Sequence, residues 1–174
     1  RPAPGTVSVR RGGALTVPAT EAGRRVVATL ARTNALDAIH TDADFDQVMW
    51  KKLAVNVISG AIPTLTDRPA GVFRDPEIQR VARLIVLECL AVARTRGVDL
   101  ADALADEIVA GFLESAPDAV NSMLRDRREG RLLEGDSRNG AVARLGSAAG
   151  IDTPYNDLAA AILNAVNAGA DDEA

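Results

Sequence analysis

From residue 41 onward the chain is punctuated as helices are, and that punctuation limits its fold more than any other feature. Asp75-Pro76 pairs a capping carboxylate with a proline at the first helical position, and Thr153-Pro154 repeats the device. After the first of these, Ile78, Val81, Ala82, Ile85 and Cys89 recur at helical spacing. Gly97 and Gly150 stand where helices stop. Further helices are predicted over residues 41–59, capped by Thr41 or Asp42, over 100–113, from Pro117, and over 132–149. The last one runs from Pro154 to near Asn167, ahead of an acidic tail. Aromatics make up only 3% of the chain, while alanine and leucine are frequent. Such a composition packs helices through small and aliphatic side chains. Residues 41–174 therefore read as an all-helical domain.

Residues 1–40 have a different character. Residues 7–10 and 15–17 look like short strands separated by a Gly12-Gly13 turn. Residues 20–33 read as a helix with Val26, Val27 and Leu30 on its apolar face, and residues 35–40 as another strand. This α/β piece is too small to be a complete sheet domain. The opening RPAPGTV lacks an initiator methionine, so the chain reads as beginning inside a longer polypeptide.

Within the first long helix, the stretch WKKLAVN at residues 50–56 is unusual. Phe45, Val48, Met49, Leu53 and Val57 mark one apolar stripe, and Lys52 and Asn56 fall on or beside it, one turn apart. Burying an ammonium costs several kcal/mol unless it is paired or wet, so this placement suggests a cleft beside the helix. The plainer alternative is a lysine whose stem packs while its head reaches water. Asn56 alone fits a satisfied core amide equally well.

Other features exclude more than they suggest. No apolar run reaches the roughly 20 residues of a membrane helix, and no signal-peptide pattern opens the chain. The single cysteine, Cys89, lies on an apolar stripe, reads as core, and fits a reducing compartment such as the cytoplasm. His40 is the only histidine, which rules out a multi-histidine metal site; a structural role is expected. The net charge of −4 opposes general nucleic-acid binding. The locally basic RDRREGR, residues 125–131, reads as solvated surface. Trp50 is expected on the other side of the helix from Lys52 and reads as a packing or interface anchor. No G-x-G-x-x-G loop occurs.

Two separated segments carry a resemblance. WKKLAVNVISGAIPTL followed by RPAGV, and NSMLRDRREGRLLEGDSRNGAVARLGSAAGIDTP, are similar to the C-terminal domain of ketopantoate reductases (2-dehydropantoate 2-reductases). The matching elements are Ser122-Met123-Leu124-Arg125-Asp126, Glu134, Gly140 and Gly150-Ile151-Asp152-Thr153-Pro154. The resemblance implies a mainly α fold, 6-phosphogluconate dehydrogenase C-terminal-like, over residues 41–174. Residues 1–40 would then be the last strands and helix of a Rossmann domain lying mostly upstream. It implies NADPH-dependent reduction of the 2-oxo group of ketopantoate to pantoate, in pantothenate biosynthesis. The cofactor's phosphate loop is absent from this chain, and the isolated chain is expected to be inactive.

By the same resemblance Lys52 stabilises the charge developing on the ketone oxygen and supplies its proton. Glu134 is catalytic, helps keep that ammonium charged, and touches the cofactor end of the site. Asn56 and Ser122 bind substrate, and no metal is expected. The departures are Gly60, Ala70 and Ala119, where the family often has asparagine. Lost amide donors weaken substrate selectivity, so a different 2-oxo acid remains open as the substrate. A non-catalytic dimerisation or binding module is a second reading, and a helical DNA-binding domain a weaker third. A 2-oxo acid is the expected partner and a homodimer one candidate assembly, without nucleic acid or membrane.

Overall fold

The computed structural model describes residues 14–32 and 38–172. The strand expected over residues 7–10 lies outside them. The described elements run in the order β1 (Ala14–Pro18), α1 (Glu21–Leu30), β2 (Ala38–Asp42), α2 (Phe45–Ser59), α3 (Ala61–Thr66), a 3-10 turn (Ala70–Arg74), α4 (Pro76–Thr95), α5 (Ala103–Leu113), α6 (Ser122–Arg128), α7 (Asn139–Ala149) and α8 (Pro154–Asp172). They divide into two units within α2, between Val48 and Met49.

In the first unit β1 and β2 are parallel, in register from Ala14 opposite Ala38 to Pro18 opposite Asp42. A parallel pair needs a crossover, and α1 supplies it. Thr20 caps α1 by accepting from the Gly23 amide at 3.1 Å. Thr41 and Asp42, expected to cap the next helix, belong to β2 instead. That helix starts at Phe45, and the preceding Asp44 carboxylate accepts from the Gln47 amide at 3.4 Å and side chain at 2.7 Å. His40 meets the Thr16 hydroxyl at 3.0 Å, a contact within the sheet.

The second unit is built around α4. Its start follows the expected chemistry: the Asp75 carboxylate accepts from the Glu77 amide at 2.9 Å, and Pro76 opens the first turn. Gly97 and Gly150, at φ 79° and 71°, take the left-handed conformation expected beyond helix ends. Ala82, Ile85, Val86, Cys89, Leu90, Val92 and Ala93 bury one long face of α4. Against it pack Val57 and Ile58 of α2, Phe73 of the 3-10 turn, Val109 of α5 and Val142 of α7. Phe73 and Phe112 stack with centroids 4.5 Å apart. A smaller cluster joins Ala61, Met123, Leu133, Ala159 and Leu163.

The boundaries that differ from expectation lie where tertiary contacts hold the chain. Pro117 does not open a helix; its carbonyl accepts from the Gly71 amide at 2.8 Å, and α6 starts later, at Ser122. The helix expected over residues 132–149 begins only at Asn139. Residues 133–138 are held by α8 instead. The Asn167 side chain accepts from the Leu133 amide at 2.8 Å and donates to its carbonyl at 3.2 Å. A Cβ on Gly135 would stand 2.6 Å from that of Leu163, so glycine allows this loop to lie against α8. Helix α8 continues to Asp172, beyond the expected end near Asn167. Among the described residues no helix is long and apolar enough to cross a membrane.

A buried amide network ties these elements together. Asn139 donates from Nδ2 to the Val57 carbonyl at 3.1 Å and to Asn156 Oδ1 at 3.0 Å. Asn156 donates to the Ile85 carbonyl at 3.0 Å and to Glu88 at 2.7 Å. Glu88 in turn accepts the amides of Tyr155 and Asn156 at 3.0 and 2.9 Å, capping the first turn of α8 from α4. Helices α2, α4, α7 and α8 are thereby fixed relative to one another.

Candidate functional site

Helix α2 is apolar on more than one side, so its buried face is not the stripe that spacing alone selects. Ala54, Val57 and Ile58 are the residues it buries, whereas Met49 is 53% exposed. Lys52 is exposed and Asn56 half-buried, so both lie beside the buried stripe and the lysine's head reaches solvent, as in the plainer of the two readings. They border an open groove of about 290 Å³. Met49 and Trp50 contribute apolar walls, and Ser137 and Arg138 face the same space. Trp50 packs against the main core and also borders the groove with Lys52, so the two are not on opposite sides of α2 as expected.

The expected cleft therefore exists, but as an open groove beside α2. Among the described residues Lys52 makes no hydrogen bond or ion pair, so its ammonium is available to a ligand. Asn56 contributes an amide one turn further on.

Glu134 sits on the loop clasped by Asn167. Its carboxylate is exposed and forms an ion pair with Arg138, four residues later, and not with Lys52. Glu134 was expected to keep the Lys52 ammonium charged; in the structure it is linked to the groove only through its ion pair with Arg138, and it is not among the residues that line the groove. Arg138 was not singled out in the sequence. It precedes Asn139, whose bond to Val57 ties this end of α7 to α2. The two walls of the groove are thus joined by a buried hydrogen bond.

Ser122 opens α6 and is exposed, but it is not among the residues that line this groove. Its neighbours connect α6 to the end of α2. Asn121 accepts from the Leu124 amide at 2.8 Å and donates to the Ser59 carbonyl at 2.5 Å. Asn121 is thus a cap and a tether.

The three positions lacking asparagine differ in their surroundings. A Cβ on Gly60 would lie 2.8 Å from Arg138 Nη1 and 2.9 Å from Met123 Cε, so that space is already filled. The Ala70 amide donates to the Ala119 carbonyl at 2.9 Å, which places these two positions opposite each other.

The basic run at 125–131 is largely consumed by the protein itself. Arg127 donates to the Thr64 carbonyl, and Arg128 to the Asp67 carboxylate at 2.7 Å and carbonyl at 2.9 Å. These are acceptors at the C-terminal end of α3, where cations are favoured. The Arg128 guanidinium holds the Asp67 carboxyl below its usual value. Arg131 pairs with Asp126 and Glu129. Among the described residues no cluster of three His, Cys, Asp or Glu could hold a metal ion.

A family model described as ketopantoate reductase PanE/ApbA, C terminal, matches residues 44–167. The chain is 43% identical over 165 residues to 2-dehydropantoate 2-reductase of Caulobacter vibrioides, covering 95% of this chain and 56% of that protein. Its fold is similar to a dimeric ketopantoate reductase from Staphylococcus aureus, with a TM-score of 0.85 at 23% identity, over 92% of this chain and 56% of that one. It is also similar to D-mandelate dehydrogenase solved with NADH and anilino(oxo)acetate, with a TM-score of 0.84 at 21% identity, over 95% of this chain and 70% of that one. The chain spans about half the length of the curated relatives it matches.

Proposed function

The chain belongs to the ketopantoate reductase family, and from that membership we propose that it forms the substrate side of an NADPH-dependent 2-dehydropantoate 2-reductase. The activity is proposed for the polypeptide in which this chain is joined to a nucleotide-binding half. The observation that carries the reading is the pairing of an unengaged ammonium, Lys52, with the Asn56 amide on one open groove.

In this reading the substrate's ketone oxygen lies against the Lys52 ammonium. As C2 is reduced, negative charge grows on that oxygen, and a fixed cation lowers the cost of forming it. The same ammonium then delivers the proton that completes the hydroxyl, and the lysine recovers it from water. Asn56 donates to the substrate's polar groups and fixes which face of the ketone is presented. Ser122 is proposed to reach substrate from the start of α6.

The residues present suit one end of the cofactor. Glu134 offers an exposed carboxylate whose orientation Arg138 fixes, which fits the hydroxyl and amide donors near a nicotinamide ring; Glu134 would hold that end. The sequence has no G-x-G-x-x-G loop for the phosphates. When bound, the cofactor supplies the hydride. Gly60, Ala70 and Ala119 favour a second reading, in which the same reaction runs on a different 2-oxo acid.

Initial rates of NADPH oxidation by the full-length protein, measured against a panel of 2-oxo acids that includes 2-dehydropantoate, test this proposal. The highest kcat/KM is expected with 2-dehydropantoate. Preference for another 2-oxo acid would select the second reading, and no turnover with any of them would refute both.

A further inference from the structure

Arg138 is more deeply buried than the other ion-paired arginines. Its side chain is 17% exposed, against 39–69% for the other arginines in ion pairs among the described residues. Those arginines lie on the surface. Arg138 instead reaches into the groove shared by Lys52 and Asn56.

Its hydrogen bonding is also incomplete. A guanidinium has five N–H donors in a planar fork. Among the described residues its only bonded partner is Glu134, reached through Nη2. Nη1 instead occupies the space over Gly60, 2.8 Å from where a Cβ would be. A sunken guanidinium with unused donors is suited to a planar anion, since its fork matches a carboxylate in two parallel bonds. Glu134 leaves that fork oriented and does not exhaust it.

We infer that Arg138, held by Glu134 and admitted by Gly60, binds the substrate's carboxylate and is the specificity-determining residue of this groove. The inference rests on the reading of the groove as a 2-oxo acid site. In such an acid the carboxylate is bonded to the ketone carbon. One cation for the ketone oxygen and one for the carboxylate must therefore face the same small space, as Lys52 and Arg138 do. A volume of about 290 Å³ suits a small acid. Gly60 then has a stated purpose: a side chain there would compete with the guanidinium.

The test is equilibrium binding to the full-length protein by calorimetry, alongside turnover. The probes are 2-dehydropantoate and ketopantoyl lactone, which has the same carbon skeleton without the carboxylate charge. Arg138→Gln is expected to weaken acid binding about 10- to 100-fold and leave lactone binding unchanged, with Arg138→Lys between the two. Equal weakening of both probes, or of neither, would overturn the inference, as would a wild-type protein that binds neither. Arg138-dependent binding of the acid without turnover would uphold the inference while refuting the reductase reading. Unchanged acid preference in an active Arg138→Gln enzyme would do the reverse. Thermal melts of both variants separate a binding effect from misfolding.

Discussion

Replacing Asn156 with alanine removes the centre of the amide network that sets the groove's walls. The side chain is fully buried. It donates to the Ile85 carbonyl at 3.0 Å and to Glu88 at 2.7 Å, and accepts from Asn139 at 3.0 Å. Each such bond contributes about 1 kcal/mol net. The groups left behind keep other partners: Glu88 retains the Tyr155 and Asn156 amides, and Asn139 retains Val57. The loss is therefore about 3 kcal/mol and does not reach the larger penalty of several orphaned buried groups. Asn139→Ala removes two bonds and leaves the buried Asn156 Oδ1 without its partner, so it costs at least about 2 kcal/mol. The two variants share one bond, so the double variant should cost about 1 kcal/mol less than the sum of the singles. Urea unfolding followed by Trp50 fluorescence reads this directly, because Trp50 packs against the same core. With m near 2 kcal/mol/M, Asn156→Ala should lower the midpoint by about 1.5 M. A loss under about 0.5 kcal/mol, or strict additivity, would refute the network as the tie between α2, α4, α7 and α8.

Other perturbations test separate parts of the structure. Burial pushes the Cys89 thiol from 9.0 up to about 12. Native protein should therefore resist thiol reagents at pH 8 and react only on unfolding; rapid native labelling would contradict the packing. Because the raised value favours the protonated thiol in the native state, this contribution to stability is intact below pH 9.0 and is lost as pH rises toward 12, which alkaline unfolding curves should record. The Asp67 carboxyl, held low by Arg128, contributes above its ordinary value of 3.8 and loses that contribution as pH falls through its lower native value. In Arg128→Gln its NMR titration should move back toward 3.8, and an unmoved titration would discount the pair. Gly60 joins α2 to α3 with a backbone that alanine could adopt (φ −78°, ψ −60°), so Gly60→Ala is expected to weaken acid binding through Arg138 and to forfeit the ~0.4–1 kcal/mol that such a replacement otherwise gains. A variant that gains this stability in melts and keeps its affinity would show that Arg138 has room to move.

The readable parts of the fold were those decided by local chemistry. Asp75-Pro76 marks a helix start through its own carboxylate and ring, and Gly97 and Gly150 mark ends through a conformation that glycine adopts freely. The boundaries at Ser122 and Asn139 depend on partners far away in sequence: Gly71 on Pro117, and Asn167 on Leu133. Helix α3 escaped notice because it is only six residues long and contains Pro63. The groove was partly legible. Lys52 and Asn56 stand out as polar residues in an apolar helix, but spacing alone leaves open whether they lie on the buried stripe or beside it, because apolar residues continue around α2 on both sides. Arg138 was invisible, since nothing near it in sequence signals that it fills the space over Gly60.

The central claim is that Lys52 is the acid of a 2-oxo acid reductase, and kcat for NADPH oxidation with saturating 2-dehydropantoate tests it most directly. In the full-length protein, Lys52→Ala should lower kcat by about 10²- to 10⁴-fold, the range of general acid catalysis, while the fold melts at its usual temperature. A Lys52→Ala enzyme that keeps its kcat would contradict the account.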